Sequence, residues 1–163
     1  MDQSKWTVPR MRGHVMTKDL AKYQRPRLKL HAVWIHKVGL FCYLVDPRLS
    51  ADASLTVECA ARSLDRCSDM FQRQSLRLPP NLICISDNTV RENKNVTTLG
   101  YLSTLTSRGK FSSTCLLNHR VGHSHGPLDQ IFGIVGTSFK YVDVLADADD
   151  AVQKLEGNIF LVA

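Results

Sequence analysis

Two short apolar runs limit what this chain can become: Leu82-Ile83-Cys84-Ile85 and Thr114-Cys115-Leu116-Leu117. Each has the length and residue types of a strand, and the first reads as buried. Between them Val96, Leu99, Leu102 and Leu105 recur at helical spacing, and Arg108-Gly109 offers a helix end. Strand, helix and strand in that order make a crossover, so the two strands are predicted to run parallel with a right-handed connection. Their carboxyl ends then face one rim, which is where open α/β sheets place ligand chemistry.

The remaining segments supply partners for this unit. Leu28–Ile35 and Gly39–Val45 are rich in β-branched and aromatic residues, and the short link between them predicts a hairpin. Leu28, Leu30, Ala32 and Trp34 share one of its faces, and Asp46-Pro47 ends its second strand. Asp52 or Ser54 can cap a helix reaching to about Gln74, with Val57, Ala60, Leu64, Cys67 and Phe71 as its apolar stripe. Pro79-Pro80 separates that helix from the strand at Leu82. Ser112–His119 is the second strand, with Cys115 expected to be buried. Gly126-Pro127 starts a further helix whose stripe is Leu128, Ile131, Phe132, Val135 and Phe139. The expected fold is α/β, a mixed sheet flanked by helices. Residues 1–142 form its core, and 143–163 an acidic segment whose helix, Ala148–Leu155, packs on or extends that core.

Composition narrows the function classes. With 163 residues, 44% of them hydrophobic, the chain can bury a real core. No apolar run is long enough to span a bilayer, and the first residues lack the apolar stretch of a secretory signal. Five cysteines without a C-x-x-C pair read as reduced core residues of an intracellular protein. In that setting the sequon Asn95-Val96-Thr97 is a chance match. Residues 1–37 carry nine Lys/Arg against two Asp, while the rest of the chain is close to neutral. Such a basic block is either a solvated arm or an attraction for a polyanion such as nucleic acid.

Polar clusters follow both strands. Asp87 and Asn88 close the first, and Arg91, Glu92, Asn93, Lys94 and Asn95 lead into the next helix. Gly122–Gln130, GHSHGPLDQ, follows the second and contains Asp129 in a first helical turn. Hard divalent cations such as Mg²⁺ or Mn²⁺ select carboxylate oxygens, so Asp87 and Asp129 on one rim make a candidate metal pair. Each acid also has an ordinary role, Asp87 as an Asx-turn residue and Asp129 as a partner of the helix dipole. Asn caps and anion binding both suit a helix entrance; Lys94 can meet a phosphate, and Glu92 can ligate a metal or pair with Lys94 or Arg91. His123 and His125 form an H-x-H pair that can bind zinc with Asp129, Asp87 or His119, hydrogen-bond the loop, or meet phosphate when protonated.

The paired motifs DN-x-x-x-ENKN (Asp87–Asn95) and GHSH-x-x-x-DQ-x-FG (Gly122–Gly133) resemble a eukaryotic family of transposase-derived domains with a ribonuclease-H-like core of the DDE transposase and integrase type. MDQSKWTVPR and RPRLKLHAVWIH extend the resemblance over nearly the whole chain. It implies three carboxylates around two Mg²⁺ or Mn²⁺ ions, with Asp87 as the second, Asp129 as the third, and the first at or just before Asp2. Asn88, Glu92, Asn93, Lys94, Asn95, His123, His125 and Gln130 are its expected neighbours. The chain starts inside the motif that carries the first acid, which predicts a truncated first strand. The implied activity is cleavage or joining of DNA strands in the nucleus, with oligomerisation among transposase-like chains. The rival expectations are a decayed or domesticated domain that binds nucleic acid or protein, and a zinc-dependent hydrolase.

Overall fold

The computed structural model of the chain describes residues 10–11, 29–46, 48–86, 90, 92–118 and 127–156. In order the elements are β1 (Arg10–Met11), β2 (Lys29–Ile35), β3 (Gly39–Val45), α1 (Ala53–Arg73), β4 (Asn81–Ser86), α2 (Val96–Ser107), β5 (Ser113–Asn118), α3 (Pro127–Tyr141), β6 (Val144–Leu145) and α4 (Ala148–Glu156). The chain is mixed α/β, but the expected single mixed sheet is not what the described residues form. They make three two-stranded sheets, β1–β6, β2–β3 and β4–β5. Two compact units result: 1–34, 39–49 and 126–163 in the first, 35–38 and 50–125 in the second.

In the first unit β2 and β3 pair as the predicted hairpin. Alternation puts Phe41 and Val45, both buried, on one face of β3. From the other face Leu44 joins Leu30 of β2 against a core of Val135 and Phe139 from α3 and Ala151 from α4. The predicted α3 stripe is therefore correct, with Ile131 also packed on this core. Trp34, expected to share the face of Leu30, is 43% exposed. Burial lowers the pKa of His31 on β2, because desolvation disfavours the imidazolium. At the end of the hairpin Arg48 donates from its backbone and its guanidinium to Asp46, holding that carboxyl at about 2.

The acidic segment after 142 contains a strand as well as the expected helix. β6 pairs antiparallel with β1, Arg10 beside Leu145. α4 starts on a reciprocal cap: Asp147 Oδ1 accepts from the Asp150 N–H at 2.8 Å, and Asp150 Oδ2 accepts from the Ala146 N–H at 2.9 Å. Lys154, one turn on, donates to Asp150 at 2.6 Å and also to the Val144 carbonyl.

The second unit is built around β4 and β5, which are parallel as predicted, in register from Asn81–Ser113 to Ser86–Asn118. α1 is capped by Asp52, whose carboxylate accepts from the Ser54 and Leu55 N–H groups. Its buried residues are Ala53, Cys59, Ser63, Leu64 and Cys67, so Leu64 and Cys67 of the predicted stripe are covered while Val57, Ala60 and Phe71 are half-buried. Ser63 is fully buried and donates to the Cys59 carbonyl at 2.8 Å, so its hydroxyl carries no unmet hydrogen bond. Leu64 meets Leu102, Leu105 and Phe111, and this core covers Leu82, Cys84 and Leu116 on one face of the sheet.

Both α1 and α2 end in the same hydrogen-bonded pattern. After α1 the Ser75 N–H bonds Gln72 O and the Leu76 N–H bonds Phe71 O; after α2 the Gly109 N–H bonds Thr106 O and the Lys110 N–H bonds Leu105 O. These are Schellman closures, which place the residue after the cap in the left-handed region. α2 has Gly109 there, at φ +69°, and α1 has Ser75, at φ +57°.

The other face of β4–β5 departs from expectation. The run at Leu82 was predicted to be a buried strand, yet β4 and β5 both alternate between exposed and half-buried along their length. Ile83 is 62% exposed and Ile85 63%, and Cys115, expected inside, is exposed. The physical reason is one-sided cover: the core beneath reaches only Leu82, Cys84 and Leu116. In α2 the same limit leaves the predicted stripe residues Val96 and Leu99 exposed, while Thr98 takes a buried place beside Leu102 and Leu105.

Candidate functional site

The rim predicted to hold the chemistry is the carboxyl end of β4–β5. Parallel register brings Ser86 and Asn118 side by side there, and Asn118 Nδ2 donates to Ser86 Oγ at 2.8 Å. The chain leaves both strands at this edge, with Asp87 the next residue after Ser86. Asp2, Asp87, Asn88, His119, His123 and His125 lie outside the described residues. The carboxylate at the strand end and the H-x-H pair therefore stay at the level of sequence.

The helix entrance is described from 92 onward. Glu92 and Asn93 are half-buried in a turn, and Lys94 is exposed. Asn95 is the N-cap of α2. Its Oδ1 accepts from the Thr98 N–H at 2.9 Å and its Nδ2 donates to the Val90 carbonyl at 3.1 Å. Asn95 thus fastens the loop to the helix as its cap. Lys94, one residue before that cap, is exposed.

Asp129 and Gln130 are exposed in the first turn of α3. They belong to the first unit, whereas β4 and the 92–95 turn belong to the second. Among the described residues no three His, Cys, Asp or Glu side chains stand close enough to hold one metal ion. The donor chemistry of Asp87 and Asp129 still fits a hard divalent cation, since both offer carboxylate oxygen.

Of the basic block at 1–37, Lys29 and Lys37 have described side chains. Lys29 Nζ donates to the Leu49 carbonyl at 2.5 Å, and Lys37 is exposed in the hairpin turn. The thiols are unreactive by environment where they are covered: burial raises Cys42 and Cys59 to about 11. All five cysteines are free thiols.

Two features escaped the sequence reading. Ser86 and Asn118 lock the two strand ends together, and the signal was present as one polar residue closing each apolar run. The Thr106–Thr114 hydroxyl contact, at 3.1 Å, joins α2 to β5, and its residues look like ordinary helix and strand filler in sequence.

These observations define a mixed α/β protein whose crossover unit presents a polar rim at the ends of two parallel strands. The chain belongs to the family described as "Domain of unknown function (DUF7869)", whose model matches residues 18–154. No curated protein and no solved structure matches it. Among the described residues no helix is long and apolar enough to cross a membrane.

Proposed function

We propose that the chain is a transposon-derived domain with a ribonuclease-H-like core, acting on DNA by metal-dependent phosphodiester cleavage or strand transfer. The observation that supports this reading most is the parallel β4–β5 pair joined through α2, with Asp87 directly after the locked end of β4. In the proposed site Asp87 and Asp129 supply carboxylate oxygens to Mg²⁺ or Mn²⁺, and the first acid is Asp2 or a residue ahead of it. Such ions, when bound, stabilise the attacking and leaving oxygens of a phosphodiester displacement. Lys94, exposed beside the α2 N-terminus, meets a phosphate of the strand, and the basic block at 1–37 holds the DNA.

The test is Mn²⁺-dependent nicking of supercoiled DNA. Nicking by the wild type that disappears in Asp87→Asn and in Asp129→Asn, with unchanged circular dichroism, is the expected result. Wild-type protein that neither nicks DNA nor binds Mn²⁺ more tightly than the two Asn variants would sink the reading.

A second reading is a domesticated domain that binds DNA without cutting it. It is favoured by the basic block at 1–37, which attracts a polyanion without any metal. Salt-dependent DNA binding that is unchanged in the Asp87→Asn and Asp129→Asn variants, without Mn²⁺-dependent nicking, is its expected signature.

A further inference from the structure

The second unit carries a groove unrelated to the acidic rim. It has a volume of about 430 Å³ and runs between α2 and β5. Two facts place it at the outer edge of β5. Tyr101 turns one flank of α2 toward α1: burial, Asp65 and Glu58 of α1, and Cys84 push its hydroxyl up to about 12. Leu99, Ser103 and Thr106 lie on the opposite flank, away from α1, and these three line the groove with Ser113, Thr114 and Leu116 of β5. Thr114 Oγ1 sits 3.1 Å from Thr106 Oγ1 and donates to the Leu102 carbonyl at 3.3 Å, which fixes the helix over the strand.

The backbone along this edge is ready to pair. Among the described residues β5 is bonded only to β4. The Ser113 N–H donates to Pro80 O at 3.4 Å, the ladder bond of the Asn81–Ser113 register, which sets which residues face the neighbour. In a parallel ladder alternate residues bond to one side, so 113, 115 and 117 face β4. Thr114 and Leu116 then turn their N–H and C=O groups outward. Within β5 itself, Ser113 to Asn118, there is no Lys, Pro or Gly of the kind that usually blunts an exposed edge.

The chemistry of the groove selects its occupant. None of the described residues that line it is charged, although the chain as a whole carries a net charge of +6. Among them there is no cation to neutralise a phosphate, so a nucleic acid does not match it. Leu99, 54% exposed, stands across from Leu116 and offers an aliphatic contact, while Ser103 and Thr106 give a hydroxyl rim. Outward backbone groups on every second residue are matched by an extended backbone. We propose that the β5 edge and the α2 groove form a strand-addition site for an extended, uncharged peptide segment of a partner protein, which seats an aliphatic side chain between Leu99 and Leu116. The proposal is independent of any metal chemistry at the acidic rim.

The probes are acetylated peptides of about eight residues, a typical strand length, alternating Thr with Val, Ile or Leu. Titrated into ¹⁵N-labelled full chain, at least one is expected to shift the amide signals of Thr114 and Leu116 and slow their hydrogen exchange. The Leu82 and Cys84 amides, already in the ladder, keep their exchange rates. Leu99→Glu is expected to weaken binding roughly tenfold or more, about 1.4 kcal/mol, without loss of fold, because the side chain is exposed. Ser103→Lys is the second variant, and a peptide with Asp in place of Thr is expected to bind it better than the wild type. Unchanged Thr114 and Leu116 exchange with every peptide at millimolar concentration overturns the proposal. So does slowing that grows with protein concentration and needs no peptide, since the occupant is then a second copy of the chain. A single-stranded oligonucleotide that protects the same amides also overturns it.

Discussion

The hairpin and the parallel pair are both written in nearly unbroken apolar residues, yet they are covered differently. Along β2 and β3 every residue but Trp34 is at least half-buried. Along β4 and β5 every second residue is exposed. The usual tendency is the reverse, since parallel strands carry helices on both faces while hairpins leave one face wet. The difference teaches that an apolar run encodes the wish of a strand for cover, not how many faces receive it. Here α1 and α2 lie on one face of β4–β5, and the residues of the other face keep their apolar character without a described layer on it.

That contrast can be broken by substitution. Leu102→Ala, on the covered side, is expected to cost about 2–5 kcal/mol in denaturant unfolding, because it empties a packed site between Leu64, Leu105 and Phe111. Ile83→Thr, on the open side, is expected to stay within about 0.5 kcal/mol of wild type. Equal losses for the two would show that the outer face is covered after all. Thiol labelling sharpens the same point without mutation. Under native conditions Cys115 is expected to react first with a thiol-specific reagent, and buried Cys59 and Cys67 only on unfolding.

The helix ends give a smaller, paired effect. Gly109→Ala is expected to destabilise by roughly 1 kcal/mol, since a Cβ is disfavoured at its positive φ. Ser75→Gly relieves the same strain after α1 and is expected to add roughly a few tenths of a kcal/mol, the relief being partly offset by glycine's unfolded-state entropy.

The two-sided cover of the hairpin also predicts a pH response. Burial holds the folded-state pKa of His31 below its ordinary value of 6.5. Protonation therefore favours the unfolded chain, and this stability is fully present above about 6.5 and declines as pH falls through that value toward the folded pKa. His31→Leu is expected to flatten that slope in thermal melts between neutral and mildly acidic pH. A slope unchanged by the substitution would place the acid sensitivity elsewhere.

Much of the fold was legible because its signals are local. Asp52 as the α1 cap, the Gly109 stop, the hairpin and the α3 stripe all follow from residues a few positions apart. The parallel pairing of β4 and β5 was also readable, because a helix between two strands leaves few topologies. The joining of the hairpin and β4–β5 in one sheet was not borne out, since nothing in the short strands specifies which outer edge pairs with which. β1 and β6 were missed because two-residue strands leave no periodicity to detect. At the candidate site the Asn95 cap was foreseeable from residue type and position. The Ser86–Asn118 lock was not, because it depends on register between strands that are far apart in sequence.

The two units also differ in how the chain assembles them. Apart from residues 35–38, the second is one continuous stretch, 50–125, so its contacts close over short loops. The first joins both ends of the chain, with Arg10 against Leu145. Closing a longer loop costs more chain entropy before any contact compensates, and high contact order slows folding. During synthesis the α1–β4–α2–β5 unit can form as soon as it is complete, while the hairpin waits for α3 and α4 to be made. Pulsed hydrogen exchange is expected to protect the amides of α2 and β5 before those of β3. For that interval the hairpin face that carries Leu30 and Leu44 is the part of the nascent chain most open to aggregation and to chaperone capture.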